Sequence, residues 1–259
     1  MTTTTFHSRV PGGGTAGGDA RAKGWERFAA MACNALRDAA DILGSYGLGF
    51  DHTALDGYWA SGSRKAKGSD VVLPMENGIT DPLVRALELV RAAAPPEHLI
   101  SRYQVCFVQQ QPRKKQNKLG SKAYTTDIQV RSLVVPDLDL RIEAKVLFGG
   151  GDVAAYCGKN GLLRFADAEP YTDQHVGMML GYSVRRDDAH WFKEIQKTAT
   201  SLTAVGPFEM LDLDGGRVTG SLVNSHATGQ VLVLHMLLPF ETNPSARAID
   251  AAPKEKKPK

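Results

Sequence analysis

Apolar side chains mark the first long element. Trp25, Phe28, Ala32, Ala35, Leu36, Ala39, Ile42 and Leu43 recur at helical spacing, and Gly44 and Gly47 follow as stop signals. Residues 44–75 read as loop with short pieces. A second helix is expected from Thr80-Asp81-Pro82, with Leu83, Leu87 and Val90 on one face and Pro95-Pro96 at its end. Proline suits a first turn, so this start leaves Glu76 just outside the helix. Tyr103–Gln109 reads as a strand. Asp127–Val135 and Leu138–Phe148 read as two more, joined at Pro136-Asp137 as a hairpin. Gly149-Gly150-Gly151 then leads to Asp152, a cap for a short helix, and Asp187 or Asp188 caps another through Trp191, Phe192 and Ile195. Strand signals return near Phe208–Leu213, Arg217–Val223 and Gln230–Pro239. The order predicts an α/β fold, a mixed central β-sheet flanked by helices.

The ends change this picture little. A Thr run and the Gly-rich stretch Gly12–Gly18 give residues 1–22 no apolar period, so a disordered segment is expected there. A basic disordered tail is expected over 251–259, leaving 23–250 as a single domain without internal linker or repeat. An apolar fraction of 42% with 23% charged residues excludes a disordered, collagen-like or coiled-coil chain. Cys33, Cys106 and Cys157 are scattered, which argues against a zinc finger or a disulfide framework. The longest strongly apolar run, Val231–Leu238, is interrupted by His235 and is too short to span a bilayer. Met1–Phe6 lacks a basic-then-apolar pattern. The expectation is a soluble, cytoplasmic protein with reduced thiols and no membrane partner.

The net charge of +3 matches the tail from Lys254 to Lys259, which holds four Lys and one Glu; the remainder is balanced at 27 against 27. Attraction to a polyanion therefore has to come from local clustering. The window from His98 to Thr126 supplies it, with Arg102, Arg113, Lys114, Lys115, Lys118 and Lys122 and no acid. Its functional reading is a phosphate-tracking loop carried by Arg113, Lys114, Lys115, Lys118 and Lys122; the bland alternative is a solvated loop. Arg64, Lys65 and Lys67 form a weaker second cluster.

The most informative stretch is the hairpin. Along Leu140-Arg141-Ile142-Glu143-Ala144-Lys145-Val146, alternation puts Arg141, Glu143 and Lys145 on one face, opposite an apolar one. On the preceding strand Asp127, Gln129 and Arg131 share a face opposite Ile128 and Val130. If Asp127 lies across from Glu143 or from Lys145, the hairpin centre falls at residue 135 or 136, the start of the turn signal Val135-Pro136. One carboxylate from each strand and one Lys then meet on a polar face. Two such carboxylates suit Mg²⁺, a hard cation that takes oxygen ligands and keeps several waters. A neighbouring Lys orients a water, or acts as a base if its pKa falls. The bland alternative is a solvated face with cross-strand ion pairs worth roughly 0.2–1 kcal/mol each.

With Asp127, Glu143 and Lys145 in this order, and Glu143-Ala144-Lys145 as an ExK element, the chain resembles the PD-(D/E)XK, or restriction-endonuclease-like, nuclease superfamily. Glu76-Asn77-Gly78-Ile79-Thr80 ahead of a helix is similar to the upstream acidic element of many such nucleases. Tyr156–Phe165, Gly177–Tyr182, Ser225-His226 and His235 resemble the downstream half of restriction-like proteins from bacterial defence loci. The resemblance implies an αβββαβ core and a metal-dependent endodeoxyribonuclease. It implies Mg²⁺ (or Mn²⁺) held by Asp127, Glu143 and the Ala144 carbonyl, assisted by Glu76, with Lys145 at the attacking water. DNA and other proteins of a defence system are the implied partners. The literal Pro136-Asp137 pair falls in the turn, and Thr126 rather than Pro precedes Asp127; if the turn lies elsewhere, Asp137 or Asp139 takes the aspartate's role. RNA as substrate stays open, as does a non-catalytic nucleic-acid-binding or scaffold subunit on the same fold.

Arg164, between Leu163 and Phe165, and His235, inside an apolar strand, read as structural residues; His226 is a weaker candidate for substrate contact. Gly149-Gly150-Gly151 lacks the Lys-Ser/Thr ending of a phosphate loop and reads as a flexible exit from the ExK strand.

Overall fold

The computed structural model describes residues 4–11, 16–45, 63–65, 72–112, 125–167, 170–172, 174–183, 186–226 and 228–240. Helix α1 spans Ala16–Ser45, α2 Glu76–Ala93, α3 Leu99–Arg102, α4 Gly150–Cys157 and α5 Asp188–Ala199. Strands β1 (Thr4–Thr5), β4 (Val105–Pro112), β5 (Thr125–Ser132), β6 (Asp139–Leu147), β7 (Val176–Ser183), β8 (Glu209–Leu213), β9 (Gly216–Ser225) and β10 (Gly229–Pro239) build one mixed sheet, in the order β1-β8-β9-β10-β7-β6-β5-β4. β2 (Ser63–Lys65) and β3 (Val72–Pro74) pair separately. The expected α/β architecture, a mixed sheet with flanking helices, is therefore present. No helix among the described residues is long and apolar enough to cross a membrane.

Alternation along the central strands divides the core in two. Ile142, Ala144, Met178, Leu180, Leu232 and Leu234 pack with Trp25, Phe28 and Leu36 of α1 and with Ile79, Leu83 and Leu87 of α2. Met179, Val231 and Val233 face the other way, against Val153 and Tyr156 of α4 and Trp191 and Ile195 of α5. β6 and β7 run parallel, as do β7 and β10, so α4 serves as the crossover that parallel neighbours require.

Two expectations are corrected. Residues 4–11 and 16–22, expected to be disordered, are structured: Thr4 and Thr5 pair with β8, Phe6 is fully buried, Arg9 forms an ion pair with Glu209, and α1 begins at Ala16. One aromatic anchor and two bridging residues tie down a segment too short to show a period. α2 starts at Glu76 rather than near Thr80, with Pro82 inside it, so Glu76 occupies the first turn. β7 carries no alternating signal because all its residues are buried. The basic stretch 113–124, including Arg113, Lys114, Lys115, Lys118 and Lys122, and the tail 251–259 lie outside the described residues.

Candidate functional site

The β5–β6 hairpin sets the site. Ile128 faces Ile142 and Arg131 faces Asp139, a register centred on residue 135, which carries Asp127 toward Glu143. The regular ladder stops at Ile128, and the Asp127 carboxylate takes over: its Oδ2 accepts the Ala144 backbone N–H at 2.7 Å. The carboxylate is thereby fixed across β6 at the centre of the ExK element. Asp139 belongs elsewhere, accepting from Gln129 at 2.8 Å and from Arg141 at 3.1 Å, and Asp137 is exposed in the turn. Neither takes the site aspartate's place.

Glu76 arrives from the first turn of α2, where a carboxylate offsets the positive end of the helix dipole. The Thr80 hydroxyl donates to the Glu76 carbonyl at 3.0 Å and is hydrogen-bonded to the buried Tyr182 hydroxyl at 2.9 Å. This brace ties the start of α2 to β7. One carboxylate oxygen each from Glu76, Asp127 and Glu143 then lies within 4.8 Å of the others, close enough that the three could hold a metal ion. The Lys145 ammonium is among them: Nζ donates to Glu143 Oε1 at 2.6 Å, to Glu76 Oε2 at 3.1 Å and to the Ala144 carbonyl at 2.6 Å. The four candidate residues Glu76, Asp127, Glu143 and Lys145 thus converge, with the Ala144 carbonyl beside them.

Charge is unbalanced here. Three carboxylates face one ammonium, and Glu143 is only 5% exposed. Burial first, and then the Asp127 charge, push the Glu143 carboxyl up to about 8. Burial likewise raises Asp127, against the pull of Lys145. Burial alone would lower Lys145, but Glu143, Glu76 and Asp127 together outweigh it and hold the ammonium above its ordinary value. Lys145 is therefore a fixed cation here, not a free base. Glu143 Oε2 is buried with no partner at normal hydrogen-bond geometry.

One neighbour carried no sequence signal: the Tyr171 hydroxyl interacts with the Glu143 carboxylate. Arg164, read from the sequence as structural, lies 5.8 Å from the centre of the Tyr171 ring. Tyr171 belongs to an irregular segment, where no periodicity points at a site. Arg164 is 7% exposed and pairs with Asp167 at 3.8 Å, in keeping with a structural role. Beside the carboxylates opens a cavity of about 340 Å³ lined by Met75, Glu76, Asn77, Lys145, Val146, Asp152 and Ala155. Asp152 accepts the Phe148 and Gly149 N–H groups at 3.0 and 2.9 Å, so the glycine run enters α4 as a capped helix start, more ordered than a flexible exit.

His226 is exposed and shares no contact with the carboxylates among those described. His235 lies apart in the second core, where Nδ1 meets the Tyr156 hydroxyl at 3.1 Å and Nε2 the Ser221 hydroxyl at 2.8 Å. It is the satisfied core histidine that its apolar strand suggested. No protein-family model matches the chain, and no match is found among curated proteins or solved structures.

Proposed function

We propose that this protein is a Mg²⁺-dependent endodeoxyribonuclease of the PD-(D/E)XK kind, hydrolysing DNA phosphodiester bonds in restriction or anti-phage defence. The observation that carries the reading is the convergence of Glu76, Asp127 and Glu143 within 4.8 Å, with Lys145 Nζ at 2.6 Å from Glu143. Leaving aside the one-turn α3, the element order α2-β4-β5-β6-α4-β7 supports it, since it then runs α-β-β-β-α-β as in the core that the resemblance implies.

The residues fit a hard divalent cation. All donors are oxygens, their charge exceeds that of the single ammonium, and Glu143 Oε2 is a buried acceptor awaiting a partner. Asp127, Glu143 and the Ala144 carbonyl would hold the ion, with Glu76 assisting; Mn²⁺ suits the same donors. When bound, such an ion activates water and offsets charge building on the phosphate. The chain's own groups do the rest. Asp127, pinned to Ala144 N, keeps its carboxylate oriented without rearrangement. Lys145 stays protonated and donates N–H to the attacking water or to a phosphate oxygen, stabilising negative charge at that point. The 113–122 cluster adds sequence-independent affinity for the phosphate backbone.

The alternative, a non-catalytic scaffold, draws on Lys145 already neutralising part of the cluster. Cleavage of supercoiled plasmid separates the two. Wild type with Mg²⁺ is expected to nick or linearise it, and EDTA or Glu143→Gln is expected to stop this. Equal cleavage by Glu143→Gln prepared in parallel, or no cleavage with either Mg²⁺ or Mn²⁺, counts against the nuclease.

A further inference from the structure

Lys145 holds the ground that a metal ion would take. Its Nζ contacts Glu143 Oε1, Glu76 Oε2 and the Ala144 carbonyl at 2.6–3.1 Å, and all three groups are among those assigned above to the cation. Mg²⁺ binds oxygen at about 2 Å, so an ion using those three atoms must sit almost where Nζ sits. An ammonium and a divalent cation at such separation repel strongly, and the oxygens cannot serve both at full strength. Building on the metal-dependent reading, we infer that Lys145 is a resident counter-cation that keeps the ligand oxygens assembled before metal arrives, and that metal loading expels its ammonium. Acidic groups drawn within 4.8 Å disfavour one another's ionisation, and the ammonium hydrogen-bonded between two of them offsets that while keeping the ligands in place.

The geometry also gives the expelled ammonium somewhere to go. Lys145 itself lines the 340 Å³ cavity, together with Met75, Asn77, Asp152 and Ala155. The side chain is flexible enough to swing its head into that space while its stem stays anchored on β6. Metal binding would therefore deliver a positive charge to the open side of the site, where a phosphate group would enter. Lys145 acts as a positioning residue in the metal-free state and faces substrate only after loading.

Two measurements on the full chain test this. In the first, Lys145 of the wild type is followed by amine-directed reductive methylation with peptide mass spectrometry, with and without Mn²⁺. Its side chain is only 13% exposed without metal, so slow labelling is expected, accelerating several-fold on loading. In the second, Mn²⁺ affinity is measured calorimetrically for wild type and Lys145→Met. The variant, with no cation to displace, is expected to bind roughly tenfold tighter or more. Labelling that stays slow although Mn²⁺ binds, or equal or weaker binding by Lys145→Met, overturns the inference and leaves the metal-dependent reading standing. Failure of both proteins to bind Mn²⁺ overturns both.

Discussion

Among the described residues, the buried clusters around His235 and around Glu143 are built on opposite principles. Around His235, each ring nitrogen has one hydroxyl partner, Tyr156 or Ser221, and the ring stacks on Phe208 at 4.3 Å between centroids. Burial lowers that imidazole to about 3, so it stays neutral and its polar atoms are satisfied. Around Glu143, three carboxylates crowd one ammonium, an oxygen lacks a partner, and the carboxyl is pushed up to about 8. A cluster that only supports the fold has no reason to carry surplus like charge, because that surplus costs stability. The histidine cluster is satisfied within the fold, and the contrast is what the proposed ligand role of the carboxylates would explain.

On the proposed nuclease reading, substitution should break this contrast most visibly in cleavage. Glu143→Gln is expected to reduce Mg²⁺-dependent plasmid cleavage by roughly 10³-fold or more, and Lys145→Ala by about 10²–10³-fold, in initial-rate assays. Glu143→Gln should at the same time hold or raise the metal-free melting temperature, because it removes a carboxylate that burial penalises. His235→Ala is expected to do the reverse. Its loss strands the buried Ser221 hydroxyl, leaves the Tyr156 hydroxyl only a long contact to the Met179 carbonyl, and opens a cavity, costing about 2–4 kcal/mol by urea unfolding, with cleavage per folded molecule unchanged.

Dependence on pH sharpens the comparison, since the clusters tilt stability in opposite directions. The folded pKa of His235 is depressed, so its contribution is complete above about 6.5 and is lost as pH falls toward about 3. The folded pKa of Glu143 is raised from 4.5 to about 8, so the native state binds the proton more tightly than the unfolded chain. The Glu143 contribution to metal-free stability therefore falls as pH rises between those values. Urea unfolding of wild type in EDTA across pH 4–9 should show the decline on the alkaline side, and Glu143→Gln should flatten it. An unchanged slope in the variant would remove Glu143 as its source.

The smallest effect on the fold is expected from the basic stretch. Replacing Lys114, Lys115 and Lys118 by Ala should change stability by only about 0.5 kcal/mol. It should lower the salt dependence of duplex binding by about 0.9 in log–log slope for each phosphate that the chain no longer neutralises. A parental slope, measured by fluorescence anisotropy against salt concentration, would reduce the stretch to a solvated loop.

How legible all this was in the sequence depended on whether local chemistry or tertiary packing decided the outcome. The turn signal at Pro136 and the alternation of Arg141, Glu143 and Lys145 narrow the register to a centre at 135 or 136, and the structure takes 135, because hairpins are fixed by their turns and a one-residue slip would reverse every side chain. The face of α1 was readable from Trp25 to Leu43 for the same reason of period. β7 was not: it is apolar on both faces, and Gly177 and Gly181 sit where a Cβ would collide with Phe165 and with Leu147 and Leu237. Packing against both helical layers leaves no alternation to detect. The start of α2 was misplaced because Pro82 ordinarily marks a first turn, whereas here the helix continues through it with Glu76 four residues before Thr80. The Tyr171 interaction with Glu143 rests on tertiary placement of an irregular segment, which no spacing announces.

The most direct test of the central claim, that the carboxylate cluster is a divalent-metal site, is anomalous scattering from crystals soaked in Mn²⁺. The account expects one strong peak at about 2 Å from oxygens of Asp127 and Glu143 and from the Ala144 carbonyl. An Mn²⁺-soaked crystal with no peak at this cluster, and with Lys145 still bridging Glu76 and Glu143, would contradict it.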